Sequence, residues 1–276
     1  MIEMNLSRLN ELAVILYAVS VLFYFIDFLH NNRKANRSAF WLLSIVWLLQ
    51  TIFLFTEMIL TGKFPVLNIV EGLYFYTWVL ITFSLLLNRF LRVDFILFFT
   101  NLIGFLMMAI HTFALTQNQP GALSDQLISE LSIIHIAMAI ISYGAFSISF
   151  VFSVLYLLQY DLLKKKKWGK RLLRIEDLSK LDRNAYLLNV IAVPMLLLSL
   201  ILGSVWAYTK LDNFHWYDAK VLGSFAVLIV YSFYLYNKIV KDLQGRSIAL
   251  WNAAAFLVLL INFFLFGSLS RFHWFS

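Results

Sequence analysis

The chain has 276 residues, 62% of them apolar and only 13% charged, with no cysteine and a formal charge of +7. Such a composition excludes an ordinary soluble domain, and the missing cysteines exclude disulfides, thiolate metal sites and thiol redox chemistry. The basic surplus lies in the loops between apolar runs, so it reports on membrane orientation before it reports on nucleic acid.

In chain order, eight charge-sparse segments meet the roughly 20 residues that a helix needs to cross the hydrocarbon core. They cover about 10–29, 39–60, 66–88, 94–115, 131–159, 185–208, 219–237 and 248–269. Only helices and closed barrels satisfy every backbone group in lipid, and runs this long without alternation are helical. The expected fold class is therefore all-α: a polytopic membrane helix bundle of about eight spans, with 1–276 as a single transmembrane domain. The first span follows Arg8 and Glu11 and lacks a small-residue cleavage site, so it is expected to be retained.

The loops set the expected orientation. Arg33, Lys34 and Arg37 follow the first span, Arg89 and Arg92 the third, and Lys238, Lys241 and Arg246 the seventh. The loop after the fifth holds Lys164 to Lys167, Lys170, Arg171, Arg174, Lys180 and Arg183. The other side has only Arg8, Lys63, Lys210, Lys220 and Arg271. The positive-inside rule then makes the first set cytoplasmic and puts both termini outside a plasma membrane. Residues 160–184 form a basic cytoplasmic loop in which Leu172, Ile175, Leu178 and Leu181 recur at helical spacing. An interfacial helix held by anionic lipid headgroups is the expected reading, and a docking site for a partner is the alternative.

On the opposite side lies Gly203 to Lys220, G-S-V-W-A-Y-T-K-L-D-N-F-H-W-Y-D-A-K, a dense knot of aromatics between two spans. Trp206, Tyr208, Trp216 and Tyr217 would suit an ordinary interfacial belt. A belt does not by itself require Phe214, His215, Trp216, Tyr217 and Asp218 in one short loop. Four of the five histidines, His111, His135, His215 and His273, fall on this side, and His30 ends the first span on the other. Flat rings with Lys210, Lys220 and Arg271 suit a planar ligand bearing carboxylates, and haem is such a ligand, with neutral imidazole a standard axial partner. Glu57 and Glu71 flank the turn between the second and third spans; a functional role and snorkelling to water are both open to them. Asp27 is expected to be interfacial.

Four motifs carry a resemblance to a known family. They are G-K-F-P-V-L-N-I-V-E-G-L-Y-F-Y-T-W (Gly62 to Trp78), I-H-I-A-M-A-I-I-S-Y-G-A-F (Ile134 to Phe146), the knot containing G-S-V-W-A, and the closing F-G-S-L-S-R-F-H. In this order they resemble the CcsA-type cytochrome c assembly and haem-handling membrane proteins, most closely their HemX branch, over roughly residues 60–276. The resemblance implies that His135 and His273 are axial ligands of haem iron and that Trp206, Trp216, Tyr217, Asp218 and Lys220 surround the haem. Gly203, Trp206, Ala207, Asp218 and Lys220 match the family's tryptophan-rich signature. Leu211, His215 and Tyr217 stand where the family has further tryptophans, Ala219 and Val221 where it has Pro and Glu, and Tyr236 where its translocases carry a membrane histidine.

The implied function is membrane haem binding and handling tied to tetrapyrrole synthesis, including control of the level of glutamyl-tRNA reductase, with membrane lipids and haem as partners. A haem-delivery role in cytochrome c biogenesis, alongside cytochrome c assembly proteins, is the alternative. A small-molecule transporter ranks last because no paired broken helices or inverted repeat are visible. No nucleotide loop, metalloprotease helix or nucleophile–base motif occurs, and no enzymatic activity of its own is expected.

Overall fold

Hydrophobic length sets the number of elements. In the computed structural model, eight helices among the described residues are each long and apolar enough to cross a bilayer, the architecture of a multi-pass membrane protein. The structure describes residues 2–66, 68–90, 94–114, 129–166, 177–210 and 216–266. The helices are α1 (Ile2–His30), α2 (Arg33–Thr61), α3 (Ile69–Phe90), α4 (Asp94–Ala114), α5 (Glu130–Lys164), α6 (Leu178–Lys210), α7 (Ala219–Ile239) and α8 (Arg246–Ile261), the last continuing into a π-turn, Asn262–Phe266. No strand occurs among the described residues, as the need to satisfy backbone groups in lipid requires.

Each expected span coincides with one helix, but several helices run past the expected ends. α6 begins at Leu178 and α5 continues to Lys164, because a helix extends into the headgroup region after hydropathy has fallen. Leu178 and Leu181 thus belong to α6, where Leu181 is buried; Leu172 and Ile175 lie outside the described residues.

Within the expected membrane domain the helices gather into two compact units, Met1–Gln119 and Pro120–Ser276. In the first, α1 buries Ala13, Tyr17, Ser20 and Tyr24 at three-to-four spacing, and α2 buries Ala35, Ala39, Leu43, Val46 and Gln50. Lipid offers no hydrophobic drive between helices, so close approach and hydrogen bonds hold them. Ser20 Oγ donates to the Ala39 carbonyl at 2.9 Å, an approach that the small Ala39 permits. Asn101 of α4 donates to Ser84 Oγ of α3 at 2.6 Å and accepts from the Tyr17 hydroxyl of α1 at 3.3 Å, joining three helices.

Local caps set the helix ends of this unit. Asn31, at φ 55, ends α1, and the Asn32 side chain accepts from Lys34 N and Ala35 N to start α2. Asn68 Oδ1 accepts from the Glu71 N–H at 2.8 Å while Asn68 Nδ2 donates to the Glu71 carboxylate at 2.6 Å. The N-x-x-E spacing of the first motif is thereby a reciprocal cap at the start of α3.

In the second unit α5 is the central helix, buried at most positions from Ile140 to Gln159. Its small residues Ser142, Gly144, Ala145, Ser147, Ser149 and Ser153 are all buried, which lets neighbouring backbones approach. At mid-length Asn252 of α8 donates to the Ser149 carbonyl, Ser149 Oγ and Ser153 Oγ at 2.7–3.2 Å and accepts from Asn189 Nδ2 of α6 at 2.9 Å. The Tyr231 ring of α7 stacks on Phe146 of α5 at 3.7 Å. At one end of the unit Lys238 of α7 pairs with Asp182 of α6.

Candidate functional site

At the opposite end of this second unit α5 and α7 begin and α6 and α8 finish. The Ser129 side chain accepts from Ser132 N, and Ser132 Oγ accepts in return from Ser129 N; this capping box fixes the start of α5. His135 therefore falls in the second turn, half-buried against α6. Its Nδ1 stands 2.6 Å from the Ser199 carbonyl and 3.0 Å from Ser199 Oγ, and that hydroxyl donates to the His135 carbonyl at 2.9 Å. A carbonyl only accepts, so Nδ1 carries the ring proton. The lone pair is then on Nε2.

One turn along α6 from Ser199 is Gly203. A Cβ there would stand 2.5 Å from His135 Cε1, 2.6 Å from Nδ1 and 2.8 Å from Nε2, so the imidazole occupies the space of a side chain. Ala207, one further turn on, is also buried. Ser199, Gly203 and Ala207 thus form a stripe of small residues, and the first two bear the ring.

The aromatic knot divides by exposure. Trp216 is 56% and Tyr217 73% exposed, whereas Trp206 is buried. Asp218 is the N-cap of α7, its Oδ1 accepting from Lys220 N at 2.8 Å. Lys220 turns inward: Nζ donates to the Asn262 carbonyl in the π-turn at 3.0 Å and lies 5.8 Å from the centre of the Phe263 ring. Lys220 is also within electrostatic reach of His135. Of the other cations expected to meet carboxylates, Lys210 is exposed at the end of α6. Arg271, His215 and His273 lie outside the described residues.

The structure therefore joins His135 to α6 and gathers Asp218 and Lys220 at the joint of α7 with α8. Sequence reasoning missed Ser199, Asn262, Tyr143 and Ser224, which hold these groups. Asn262, fully buried, donates through Nδ2 to the Tyr143 hydroxyl at 2.9 Å and to Ser224 Oγ at 3.3 Å. A polar amide inside an apolar span was the available signal for it. Ser199 had a weaker one, its place a turn before Gly203.

The remaining sequence candidates have other surroundings. His111 of α4 belongs to the first unit, buried with its ring 5.0 Å from that of Tyr74. Tyr236 is 48% exposed, off the buried stripe of α7 formed by Tyr231, Tyr234 and Asn237. Glu57 is half-buried on α2, His30 is exposed, and Asp27 is buried, with its carboxylate accepting from Asn36 Nδ2 at 3.1 Å. Among the described residues no cluster of three or more His, Cys, Asp or Glu is arranged to hold a metal ion.

The sequence matches the cytochrome C assembly protein family over residues 66–273. It is 68% identical to Protein HemX of Bacillus subtilis (strain 168) over 276 residues, the whole of both chains. It is 45% identical to Protein HemX of Brevibacillus brevis over 263 residues, 95% of this chain and 96% of the other. Cytochrome c biogenesis protein CcsA of Prochlorococcus marinus (strain AS9601) is 29% identical over 253 residues, 83% of this chain and 81% of its own.

Proposed function

The chain belongs to the cytochrome c assembly protein family, on its HemX branch, and from that premise we propose that it binds haem at the end of its second unit, on the outer face of the membrane. His135 and His273 are the axial ligands, and Trp206, Trp216, Tyr217, Asp218 and Lys220 surround the site. The observation that carries the reading is the His135 imidazole, clamped against α6 with its Nδ1–H on the Ser199 carbonyl, which fixes the tautomer whose lone pair is on Nε2. A metal-bound histidine is commonly oriented in this way by a carbonyl on its second nitrogen.

The donor set fits the group. Haem supplies an iron with axial positions for nitrogen ligands and a flat apolar ring with two carboxylates. On the protein side, Ser199 and Gly203 hold the imidazole at a fixed angle, so little ordering is left to be done on binding. Trp216 and Tyr217 offer exposed flat rings, and the exposed Lys210 offers a cation for carboxylates. Trp206 is packed inside and Asp218 caps α7. The role is to hold haem rather than to make or break bonds in it. The loop charges supply the orientation, with both termini outside the plasma membrane.

The absorption spectrum of the purified protein tests the reading. A haem band is expected after haem supplementation, altered in His135→Ala and in His273→Ala and lost in the double variant. No band, or the same band in all four proteins, would overturn it.

At the other end of the unit Lys164, Lys165 and Lys166 are exposed where α5 finishes. This basic patch supports a cytoplasmic contact through which haem occupancy controls the level of glutamyl-tRNA reductase. Neutralising Lys164 to Lys167 is expected to change the level of that enzyme while the haem band stays; an unchanged level would remove the contact from the proposal.

A further inference from the structure

We propose that Lys220 is a positioning residue and not a partner for the haem carboxylates: its ammonium locks the first turn of α7 to the π-turn that ends α8. The lock holds the π-turn from which the sequence runs on to His273, and its bearing on haem rests on the haem-site reading above.

The ammonium is already committed. Lys220 is 8% exposed, and its Nζ donates to the Asn262 carbonyl at 3.0 Å. The last carbonyls of a helix lack partners within it and carry the negative end of its dipole, so a cation there is favoured. A lysine held inward by the main chain has little reach left for a carboxylate outside.

Two further α7 residues, at i+3 and i+4 from Lys220, face the same joint. A Cβ on Gly223 would stand 2.4 Å from Asn262 Oδ1 and would collide with the Phe266 ring. Ser224 Oγ accepts from Asn262 Nδ2 at 3.3 Å. Lys220, Gly223 and Ser224 thus close on Asn262 and Phe266, with no space for a Cβ at 223. Asn262 also donates to the Tyr143 hydroxyl at 2.9 Å, and Tyr143 lies two turns beyond His135 on α5. One joint therefore links the helix bearing the first proposed ligand to Phe266, which six residues separate from the second in the sequence.

A lock and a carboxylate clamp differ in what Lys220→Met does to the full-length protein. As a lock, Lys220→Met leaves haem on His135 but gives the absorption and electron paramagnetic resonance signature of His273→Ala, with affinity lower by about 10- to 100-fold. Adding Lys220→Met to His273→Ala then changes nothing more. Gly223→Ala, which forces the same joint apart without touching a charge, gives the same signature, and haem dimethyl ester suffers from Lys220→Met as much as haem does. Weakened binding of haem but not of the dimethyl ester, with the ligation signature unchanged, would overturn the lock in favour of a clamp. Should Lys220→Met fail to fold, Ser224→Ala removes one bond of the joint and is read against the same outcomes.

A wild-type protein with no haem band would defeat the haem reading, and the lock is then judged without haem. The chain has no cysteine, so a single Ser224→Cys, buried in the joint, reports on its opening by its rate of alkylation. The lock requires that rate to rise several-fold when Lys220→Met is added. An unchanged rate would overturn it.

Discussion

His135 and Gly203 share one volume: the imidazole lies where a side chain at 203 would be, with three ring atoms 2.5–2.8 Å from the position of its Cβ. The ring cannot retreat, because Ser199 grips Nδ1 and the His135 carbonyl together. Gly203→Ala is therefore expected to destabilise the protein by about 1–3 kcal/mol, the usual cost of overpacking, and to move the ligating nitrogen. Thermal denaturation in detergent and a haem titration would both register the change. Wild-type behaviour in both would mean that the ring is not held there.

Ser199→Ala makes a milder and more specific change. The carbonyl that fixes the Nδ1 proton stays, and only the hydroxyl that bridges ring and backbone is lost. Haem affinity is expected to fall by about tenfold, the lower end of the range for residues that orient a metal ligand, with the ligation signature retained. A change of signature would show that the hydroxyl, not the carbonyl, controls the tautomer.

His111 separates the proposed site from a general effect of removing histidine. It is buried in the first unit beside Tyr74, whereas His135 belongs to the second. His111→Ala is expected to lower stability while the haem spectrum keeps its wild-type shape. A spectral shift as large as that of His135→Ala would make His111 a ligand.

The buried amides at mid-membrane give a prediction about stability alone. Asn252→Ala removes bonds to Ser149 and Ser153 and takes one acceptor from Asn189 Nδ2. Hydrogen bonds between membrane helices contribute modestly, but a buried amide left with fewer partners adds its own cost, so about 1–3 kcal/mol is expected. Unfolding titrations of Asn252→Ala and of Asn252→Ala/Asn189→Leu check the argument. The double variant should be the less damaged of the two.

At the start of α3 the Asn68 side chain is bonded to both the backbone and the carboxylate of Glu71. Asn68→Ala is expected to cost about 1 kcal/mol, and Asn68→Ser, which keeps a capping oxygen, only a fraction of that. Equal losses in the two variants, measured by thermal unfolding, would deny the cap.

Several parts of this molecule were legible because they depend on neighbours in the chain. The eight spans follow from apolar length, which a run of neighbouring residues carries by itself. Other parts were not. Trp206, grouped with Trp216 and Tyr217 by composition, is buried while they are exposed, because a helix end and the turn after it present different faces. Lys220, counted with Lys210 as a surface cation, points inward to Asn262.

The sequence by itself determined an all-helical membrane protein, its family and the histidine at the start of α5, because lipid forces backbone bonds to close locally and motifs keep their spacing. Only the tertiary structure decided which nitrogen of His135 carries the proton and where the Lys220 ammonium goes. Those answers rest on partners 64 and 42 residues away in the chain, and no local pattern encodes a bond across helices.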